Sequence, residues 1–341
     1  MRVLHSERRP DARTNPYLSQ LFQATSDEGV EAVGWSFRTA LLHRYDILHV
    51  HWPEFLVAKQ TWSKRLLARM LFVAVIARLR LTSTPVVRTV HNAQPHEDIG
   101  DLDRHLLSFL DALVVAEIHM TETSRSDRRV PTVLIRHGDY RDWYRRYPAD
   151  VAVRGRFGCV GSMRPYKGLE RILEVFPQVQ APEVSLLIRG HSSSRDYVEG
   201  LARAAAADSR ITFEAGFLDD AELVRSVTSC EIIVLPYRRV LNSGVALLAL
   251  SLDRPVLAPS APSVLELQRE LGEDWILLFE GDLEASHLEG ALQRSRRRDP
   301  KSMVDLSART WKSIGQQHAA VYRDTIQGRR VRGSTAQGLA R

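Results

Sequence analysis

The segment Val160-Gly-Ser-Met-Arg-Pro-Tyr-Lys-Gly-Leu-Glu170 decides the fold prediction. The apolar run Phe157-Gly-Cys-Val160 predicts a buried strand, and a helix is predicted to begin at Gly168. Arg164 and Lys167 lie between the two elements, and the free N–H groups of a helix start together with two cations suit a diphosphate. A polar loop with incidental cations is the alternative interpretation. The order strand, basic turn, helix predicts one unit of an α/β sheet.

The same alternation of apolar runs and helical patterns continues toward the C-terminus. Helices are predicted over residues 169–179, 198–207, 221–229 and 243–251. Strands are predicted between and after them, at Val184–Ile188, Ile211–Phe213, Glu231–Leu235, Pro255–Ala258 and Trp275–Phe279. Strands that alternate with helices predict a parallel sheet with crossover helices.

A second series of strand-like runs precedes residue 148, at Asp46–Val50, Pro85–Val90, Ala112–Ala116 and Val133–Ile135. We therefore predict two consecutive α/β domains, one over residues 1–147 and one over residues 148–308. A helix over 309–327 closes the second domain or crosses back to the first. Residues 328–341 form a basic tail that is predicted to be disordered.

Composition excludes several classes of protein. Hydrophobic residues make up 44% and charged residues 26% of the 341, which is typical of a globular protein. The net charge of +6 includes four arginines of the tail, which leave +2 for the rest, so nucleic acid is not an expected partner. Cys159 and Cys230 are too few for a disulfide framework and indicate buried residues in a reducing, cytoplasmic compartment.

The sequence gives no sign of a signal peptide or a membrane span. Residues 61–80 contain eight consecutive apolar residues, Met70–Ala77, flanked by basic residues. A helix that is apolar on most sides favours burial with charged ends. The alternative is a basic surface in peripheral contact with anionic lipid headgroups, at the inner face of the membrane.

A second motif follows the strand that ends at Leu235. Asn242-Ser243-Gly244 begins an apolar helix there, and Asn242 or Ser243 can cap it. That cap alone is a sufficient structural explanation. The functional interpretation is that the same helix start points at a phosphate or a sugar hydroxyl.

Together these motifs resemble the C-terminal domain of GT-B glycosyltransferases, in particular the GT4-like superfamily that includes bacterial exopolysaccharide mannosyltransferases. The resemblance rests on the basic loop, on Ile188-Arg-Gly190, on Leu235-Pro-Tyr237, on Asn242-Ser243-Gly244 and on Pro255-Val-Leu-Ala-Pro259. It implies a fold of two Rossmann-like domains whose parallel sheets face each other across a cleft, with the acceptor domain over residues 1–147 and the nucleotide-sugar donor domain over 148–308. It also implies a hexosyltransferase of polysaccharide biosynthesis that uses a nucleotide-sugar donor.

The resemblance also implies roles for single residues. Arg164 and Lys167 bind the donor diphosphate, and Gly190 lies where the chain passes close to the nucleotide. Glu266 lies in the region that holds the ribose. The two later motifs add four residues to the donor side: Tyr237, Asn242, Ser243 and Gly244.

One departure from the family concerns stereochemistry. Many retaining members carry two glutamates eight positions apart around the N-S-G region, and here those positions hold Val240 and Leu248. An inverting reaction is therefore open beside the retaining one, and it requires a general base for the acceptor hydroxyl. The run Thr89–Glu97 offers His91, which matches a family histidine beside the donor sugar, and Glu97, our first candidate for the base. Asp98 is the reserve, and a polar loop with locally bonded histidines is the alternative.

The acceptor side is predicted from other strand ends of the N-terminal domain. His51, Trp52 and Glu54 combine an aromatic ring with an acid, a pairing that binds sugars, although Trp52 could equally belong to the core. Asn15-Pro-Tyr17 lies in the predicted first loop, so Tyr17 is expected to open onto the same cleft. The run Arg136–Tyr140 is expected to border the hinge.

No metal ion or other cofactor is expected. Asp101-Leu-Asp103 imitates a metal-binding motif, but it precedes an apolar helix whose dipole two acids favour. Arg164 and Lys167 can stabilise the departing diphosphate without a cation.

The sequence thus predicts a metal-independent glycosyltransferase that acts on a hydroxyl of a glycan or glycolipid, with GDP-mannose the favoured donor. A sugar-nucleotide epimerase of the same fold and a non-catalytic nucleotide-sugar-binding protein are the alternatives.

Overall fold

The computed structural model describes residues 1–11, 15–58, 61–91, 100–124, 130–181, 183–237, 244–299 and 301–328. These residues pack into two compact units. The first unit contains residues 1–138 and the residues from Arg309 onward, and the second unit contains Asp139–Ala308. The chain therefore passes between the units within the run Arg136–Tyr140 and returns at Arg309.

The described part of the first unit is built on a sheet of six parallel strands in the order β2-β1-β3-β4-β5-β6. The strands are β1 (Arg2–His5), β2 (Glu31–Val33), β3 (Ile47–Val50), β4 (Val86–Val90), β5 (Val114–His119) and β6 (Thr132–Leu134). The central strand β3 is buried along its whole length. A parallel sheet covered by helices brings all its carboxyl ends, and the loops that follow them, to one edge.

The α-helices in the described part of the first unit are α1 (Pro16–Asp27), α2 (Phe37–Leu42), α3 (Glu54–Val57), α4 (Trp62–Leu81), α5 (Asp101–Asp111) and, after the second unit, α13 (Trp311–Ile326). Helix α13 packs against α1. Gly315 makes this packing possible, because an added Cβ would clash with the carbonyl oxygen of Ala24.

The described part of the second unit has a parallel sheet in the order β12-β11-β10-β7-β8-β9. Its strands are β7 (Arg156–Val160), β8 (Ser185–Gly190), β9 (Ile211–Ala215), β10 (Ile232–Val234), β11 (Val256–Pro259) and β12 (Ile276–Phe279). Its helices are α6 (Arg141–Tyr144), α7 (Leu169–Val175), α8 (Arg195–Ala205), α9 (Asp220–Thr228), α10 (Gly244–Ser251), α11 (Pro262–Leu271) and α12 (Ala285–Ser295). Apolar side chains of the strands and helices form its core.

The two parallel α/β sheets confirm the predicted fold class, and each predicted strand is present within a few residues of its expected bounds. Strands β1 and β2 and helix α1 were not predicted. The expected first-loop position of Tyr17 is wrong, because Asn15 caps α1 by accepting the N–H of Tyr17 at 3.0 Å, and Pro16 occupies the first helical position. The predicted tail lies outside the described residues.

Helix α4 differs from the buried helix that the sequence favoured. Its buried side includes Phe72, Val75 and Leu79, but the opposite side is apolar and exposed. Trp62 is 77% exposed there, and Leu67, Met70 and Val73 are each about half exposed. The prediction that α4 is buried is therefore wrong for this exposed face. Among the described helices, α4 included, no helix is long and apolar enough to cross a bilayer.

Candidate active site

The basic loop of the second unit lies between β7 and α7 at the carboxyl edge of the sheet. A single turn of 3-10 helix, Pro165–Lys167, is followed by Gly168 in the left-handed conformation with φ of 63°. This geometry turns the side chain of Lys167 inward, where it is only 8% exposed, while Arg164 stays exposed. One cation is therefore held under the loop and the other lies on its surface.

The ammonium of Lys167 is in an unfavourable environment. Burial, and then the positive charge of Arg164, lower the pKa of Lys167 to about 8. The ring of Tyr237, which follows β10, lies 5.7 Å from the Lys167 Nζ and offers a weak cation–π contact. An anion bound at this loop would supply the compensating charge that the described residues around Lys167 do not.

A close approach between two loops shapes the same edge. Gly190 ends β8 with φ of 153°, and an added Cβ would clash with the carbonyl oxygen of Gly161. The backbone N–H of Gly161 donates to the carbonyl of Arg189 at 2.9 Å, and that of Met163 donates to the carbonyl of His191 at 2.7 Å. These contacts leave backbone rather than side chains at the surface between β7 and β8, which is what a diphosphate requires.

The helix start at Gly244 reaches this edge from β10, the other neighbour of β7 in the sheet. A Cβ built on Gly161 would lie 3.7 Å from Val245 Cγ2, so the first turn of α10 adjoins the basic loop. Asn242, Ser243 and Val240 lie outside the described residues. Leu248 is buried within α10, which places an apolar side chain where many retaining relatives carry a carboxylate.

Helix α11 borders the site on the side of β11. Glu266 lies on it and is partly buried. Sequence reasoning missed Ser263, whose hydroxyl is buried in the first turn of α11 and has no hydrogen-bond partner among the described residues. A buried orphan hydroxyl at a helix start is a candidate ligand group. In the sequence it is one serine among many, so no pattern singles it out.

In the first unit, the predicted acceptor residues do lie together at the carboxyl edge of the sheet. His51 and Trp52 follow β3, Glu54 begins α3, and His91 follows β4. The Trp52 ring stacks on the His91 ring with centroids 4.1 Å apart, and His51 Nδ1 lies 3.0 Å from His91 Nε2. The ring of Tyr17 stands edge-on to His91 at 5.4 Å, although Tyr17 is only 3% exposed.

Behind these residues lies a network of buried histidines that sequence reasoning missed. His51 Nε2 lies 3.4 Å from His5 Nδ1, and His49 bonds to Thr89 Oγ1 at 2.8 Å and to the hydroxyl of Tyr322 at 2.6 Å. Burial is the largest cause that lowers the pKa of each of these three histidines, so all three are neutral at pH 7. No sequence signal links them, since they are brought together only by parallel strand pairing and by α13.

Three of these histidines also lie close enough to ligate one ion, because one ring nitrogen from each of His5, His49 and His51 falls within 4.8 Å of the others. Both ring nitrogens of His49 are already hydrogen-bonded, however, and among the described residues the cluster contains histidines alone. We therefore interpret it as a hydrogen-bonded network and not as a ligand set.

Two expected features need a separate statement. Glu97, Asp98 and the other residues between His91 and Gly100 lie outside the described residues. Asp101 and Asp103, the acids that resemble a metal-binding motif in the sequence, lie in the first turn of α5. Asp103 is buried, with its Oδ1 2.7 Å from Arg69 Nε, and Asp101 forms an ion pair with Arg104.

Comparison with known proteins adds the family. Residues 154–293 match the family described as "Glycosyl transferases group 1". The chain is 41% identical over 325 residues to the GDP-mannose:glycolipid 4-beta-D-mannosyltransferase of Xanthomonas campestris pv. campestris, an alignment that covers 95% of this chain and 92% of that protein.

Solved structures support the fold. Sucrose-phosphate synthase from Thermosynechococcus elongatus matches with a TM-score of 0.65 at 17% identity, covering 96% of this chain and 99% of that one. The catalytic domain of starch synthase IV from Arabidopsis thaliana matches over 96% of this chain and 99% of its own, with a TM-score of 0.62 at 10% identity. From the long alignment at 41% identity and from this fold, it follows that the chain belongs to the group 1 glycosyltransferases, enzymes of the GT-B fold that use a nucleotide-sugar donor.

Proposed function

We propose that the protein transfers mannose from GDP-mannose to a glycolipid and forms a β-1,4 linkage. The observation that carries this proposal is the 41% identity, over nearly the whole of both chains, to a relative described as a GDP-mannose:glycolipid 4-beta-D-mannosyltransferase. Because mannose is α-linked in GDP-mannose, a β-linked product requires inversion at the anomeric carbon. The apolar Leu248 of α10, at one of the two positions where many retaining relatives carry a glutamate, supports the same course.

On the donor side, Arg164 and Lys167 bind the diphosphate in this proposal. Among the described residues, the buried ammonium of Lys167 forms no ion pair, and its surroundings include the ring of Tyr237 and the like charge of Arg164. Gly190 allows the nucleotide to approach the backbone, Gly244 and the preceding Asn242-Ser243 contact phosphate or sugar, and Glu266 contacts the ribose. Such fixed positive groups stabilise the charge that develops on the leaving diphosphate.

On the acceptor side, His51, Trp52 and Glu54 bind the sugar of the glycolipid, and His91 lies toward the donor sugar. Support comes from their convergence at one sheet edge and from the partial exposure of Trp52, whose ring can stack on the C–H face of a sugar. Tyr17 contributes by holding the His91 ring in place from behind.

The donor proposal predicts a selective stabilisation of the protein. GDP should raise the melting temperature more than UDP, ADP or dTDP without added metal, because a ligand at a hundredfold excess over its Kd adds about 2.7 kcal/mol to the stability of the native state. With GDP-mannose and a synthetic glycolipid whose terminal sugar has a free 4-hydroxyl, NMR should show a β-linked mannosyl product. Stabilisation by UDP instead, or an α-linked product, would contradict the proposal.

We further propose that the enzyme works in the cytoplasm, at the inner face of a membrane whose lipids are anionic. Both cysteines are buried and free, as expected in a reducing compartment. The exposed apolar face of α4, formed by Trp62, Leu66, Leu67, Met70 and Val73, is bordered by the exposed Lys64 and by Arg65. An apolar stripe with basic residues beside it is typical of a helix that lies in the lipid headgroup region.

This surface can be tested with vesicles of phosphatidylcholine that contain about one third phosphatidylglycerol. The double variant Leu67→Glu, Met70→Glu should bind at least about tenfold more weakly, since each buried apolar side chain contributes about 1.5–3 kcal/mol. Val151→Glu replaces a still more exposed apolar residue of the second unit and should bind as the wild type does. Equal binding of the double variant and the wild type would contradict the proposed membrane surface.

A further inference from the structure

Glu7 lies at the carboxyl edge of the first sheet, two residues after the end of β1. Strand β1 pairs with β3 in the register His5↔His49, so the residues that follow the two strands remain neighbours. The backbone N–H of Ser6 donates to the carbonyl of His49 at 2.8 Å, and that of His51 donates to the Ser6 hydroxyl at 3.0 Å. These bonds bring Glu7 beside the segment that contains Trp52.

The carboxylate of Glu7 is held in a fixed position. The hydroxyl of Ser6 lies 2.7 and 2.8 Å from its two oxygens, and the backbone N–H of Trp52 donates to it. Glu7 as a whole is only partly buried. A fixed carboxylate on a partly exposed residue is suited to general acid–base catalysis.

The groups around Glu7 weaken its acidity. Burial raises the pKa of Glu7 to about 7, and the nearby carboxylate of Glu54 also raises it, whereas the bonds from Ser6 and Trp52 lower it. Among the described residues, the titratable side chains on the elements beside Glu7 include Glu54 of α3 and the histidines His5, His49 and His51, which are neutral at this pH. A general base works best when its pKa lies near the working pH, because a large fraction of it is then ionised and it still binds a proton strongly.

Glu7 also lies beside the residues that the proposed function assigns to the two sugars. Trp52 links them, because its backbone N–H faces Glu7 while its ring stacks on His91. Strands β1, β3 and β4 are adjacent, so Glu7, Trp52 and His91 follow three neighbouring strands. In a transfer that inverts the anomeric carbon, the base must lie beside the acceptor hydroxyl as that oxygen approaches the donor sugar.

We propose that Glu7 is the general base of the transfer, an inference that rests on the proposed inverting function. The acceptor O–H bond breaks and its proton passes to a Glu7 carboxylate oxygen. The acceptor oxygen forms the new bond to the anomeric carbon, and the bond from that carbon to the diphosphate oxygen breaks. The nucleoside diphosphate leaves with the electron pair, and Glu7 then loses its proton to solvent.

The test compares Glu7→Gln with Glu31→Gln. The control makes the same change at an exposed carboxylate and should leave the kinetics unchanged. Glu7→Gln should lower kcat about 10²- to 10⁴-fold while the KM for GDP-mannose changes little. The wild-type rate should rise with pH through about 7, since the base must be ionised, and this rise should be missing in the variant. A Glu7→Gln enzyme of near wild-type kcat, or one that keeps the rise, would overturn the proposal and favour Glu97.

Two further measurements separate misfolding and failure of the proposed function from failure of this inference. Because the pKa of Glu7 is raised from 4.5 to about 7, the stability of the native state falls as the pH rises through this range, and the full cost of the ionised carboxylate is present at pH 8. Glu7→Gln should therefore melt no lower than the wild type at pH 8. If Glu7→Gln melts lower, the test uses Glu7→Asp instead. A shift in the pH at which the rate of Glu7→Asp rises supports the proposal, and an unchanged pH overturns it. An α-linked product from the wild type would refute the inverting function itself, whatever the variant does.

Discussion

Replacing Lys167 with methionine should lower kcat/KM for the sugar donor about 100- to 1,000-fold, the usual effect of removing one group that stabilises developing charge. The side chain is buried beneath the loop between β7 and α7, where its ammonium faces the Tyr237 ring and the exposed Arg164. Methionine keeps most of the volume and removes only the charge. Steady-state kinetics with GDP-mannose, with Lys301→Met as an exposed control in the same unit, measure this effect.

The stability of this variant should change in the opposite direction. Burial lowers the pKa of Lys167 to about 8, so the unfolded chain binds more protons than the native state between about pH 8 and the usual value of 10.5. The charged form therefore destabilises the native state at pH 7, and that cost disappears as the pH rises through this window. Lys167→Met should melt at the same temperature as the wild type or higher at pH 7. A variant that keeps full activity, or that loses it only by unfolding, would contradict the assignment of Lys167 to the donor diphosphate.

Acid should unfold the first unit over a narrow range of pH. Five buried histidines have a lowered pKa because burial disfavours their charged form: about 3 for His5, about 4 for His137 and His318, and well below the usual value for His49 and His51. Their contribution to stability is complete above the unfolded pKa of 6.5, and it is lost as the pH falls from there toward the folded values.

The size of this effect is comparable to the stability of a domain. Each of the three histidines whose pKa falls to about 3 or 4 costs up to about 1.4 kcal/mol per pH unit below 6.5, so these three alone remove up to about 6 kcal/mol between pH 6.5 and pH 5. A domain of ordinary stability has about 5–15 kcal/mol in total. Hydrogen exchange measured by mass spectrometry should therefore show the amides of residues 1–138 and 309–328 losing protection near pH 5, before those of residues 139–308.

A histidine variant tests the cause. His318→Gln should reduce the number of protons taken up on acid unfolding by about one, whereas His43→Gln, at an exposed position of the same unit, is the matched control. Stability of the first unit that stays level from pH 7 to pH 5 would show that these histidines are not buried and neutral as the structure has them.

The sequence predicted the parts of the fold that depend on local pattern. Buried runs such as Phe157–Val160 and Glu231–Leu235 are long enough to be recognised as strands of a parallel sheet. Strand β1 was missed because it begins at the second residue and contains a histidine and an arginine among its four. Helix α1 could have been predicted, since Asn15 followed by Pro16 is a typical helix start.

The site was predicted where it depends on one segment and missed where it depends on several. Arg164 and Lys167 belong to one loop, and so do His51, Trp52 and Glu54. His5, His49 and His318 are far apart in the sequence and meet only because β1 pairs with β3 and α13 packs behind them. Burial and sheet order, not residue type, raise the pKa of Glu7, so no sequence pattern could have distinguished it from other glutamates.

The packing of α13 against α1, which Gly315 allows, affects the order in which the two units can fold during synthesis. The first unit needs both ends of the chain, whereas the second unit is a continuous segment that leaves the ribosome whole. Residues 139–308 can therefore fold during translation, while the histidine network of the first unit still lacks Tyr322 and His318. The nascent first unit must therefore stay able to fold, with an incomplete core, until α13 has been synthesised.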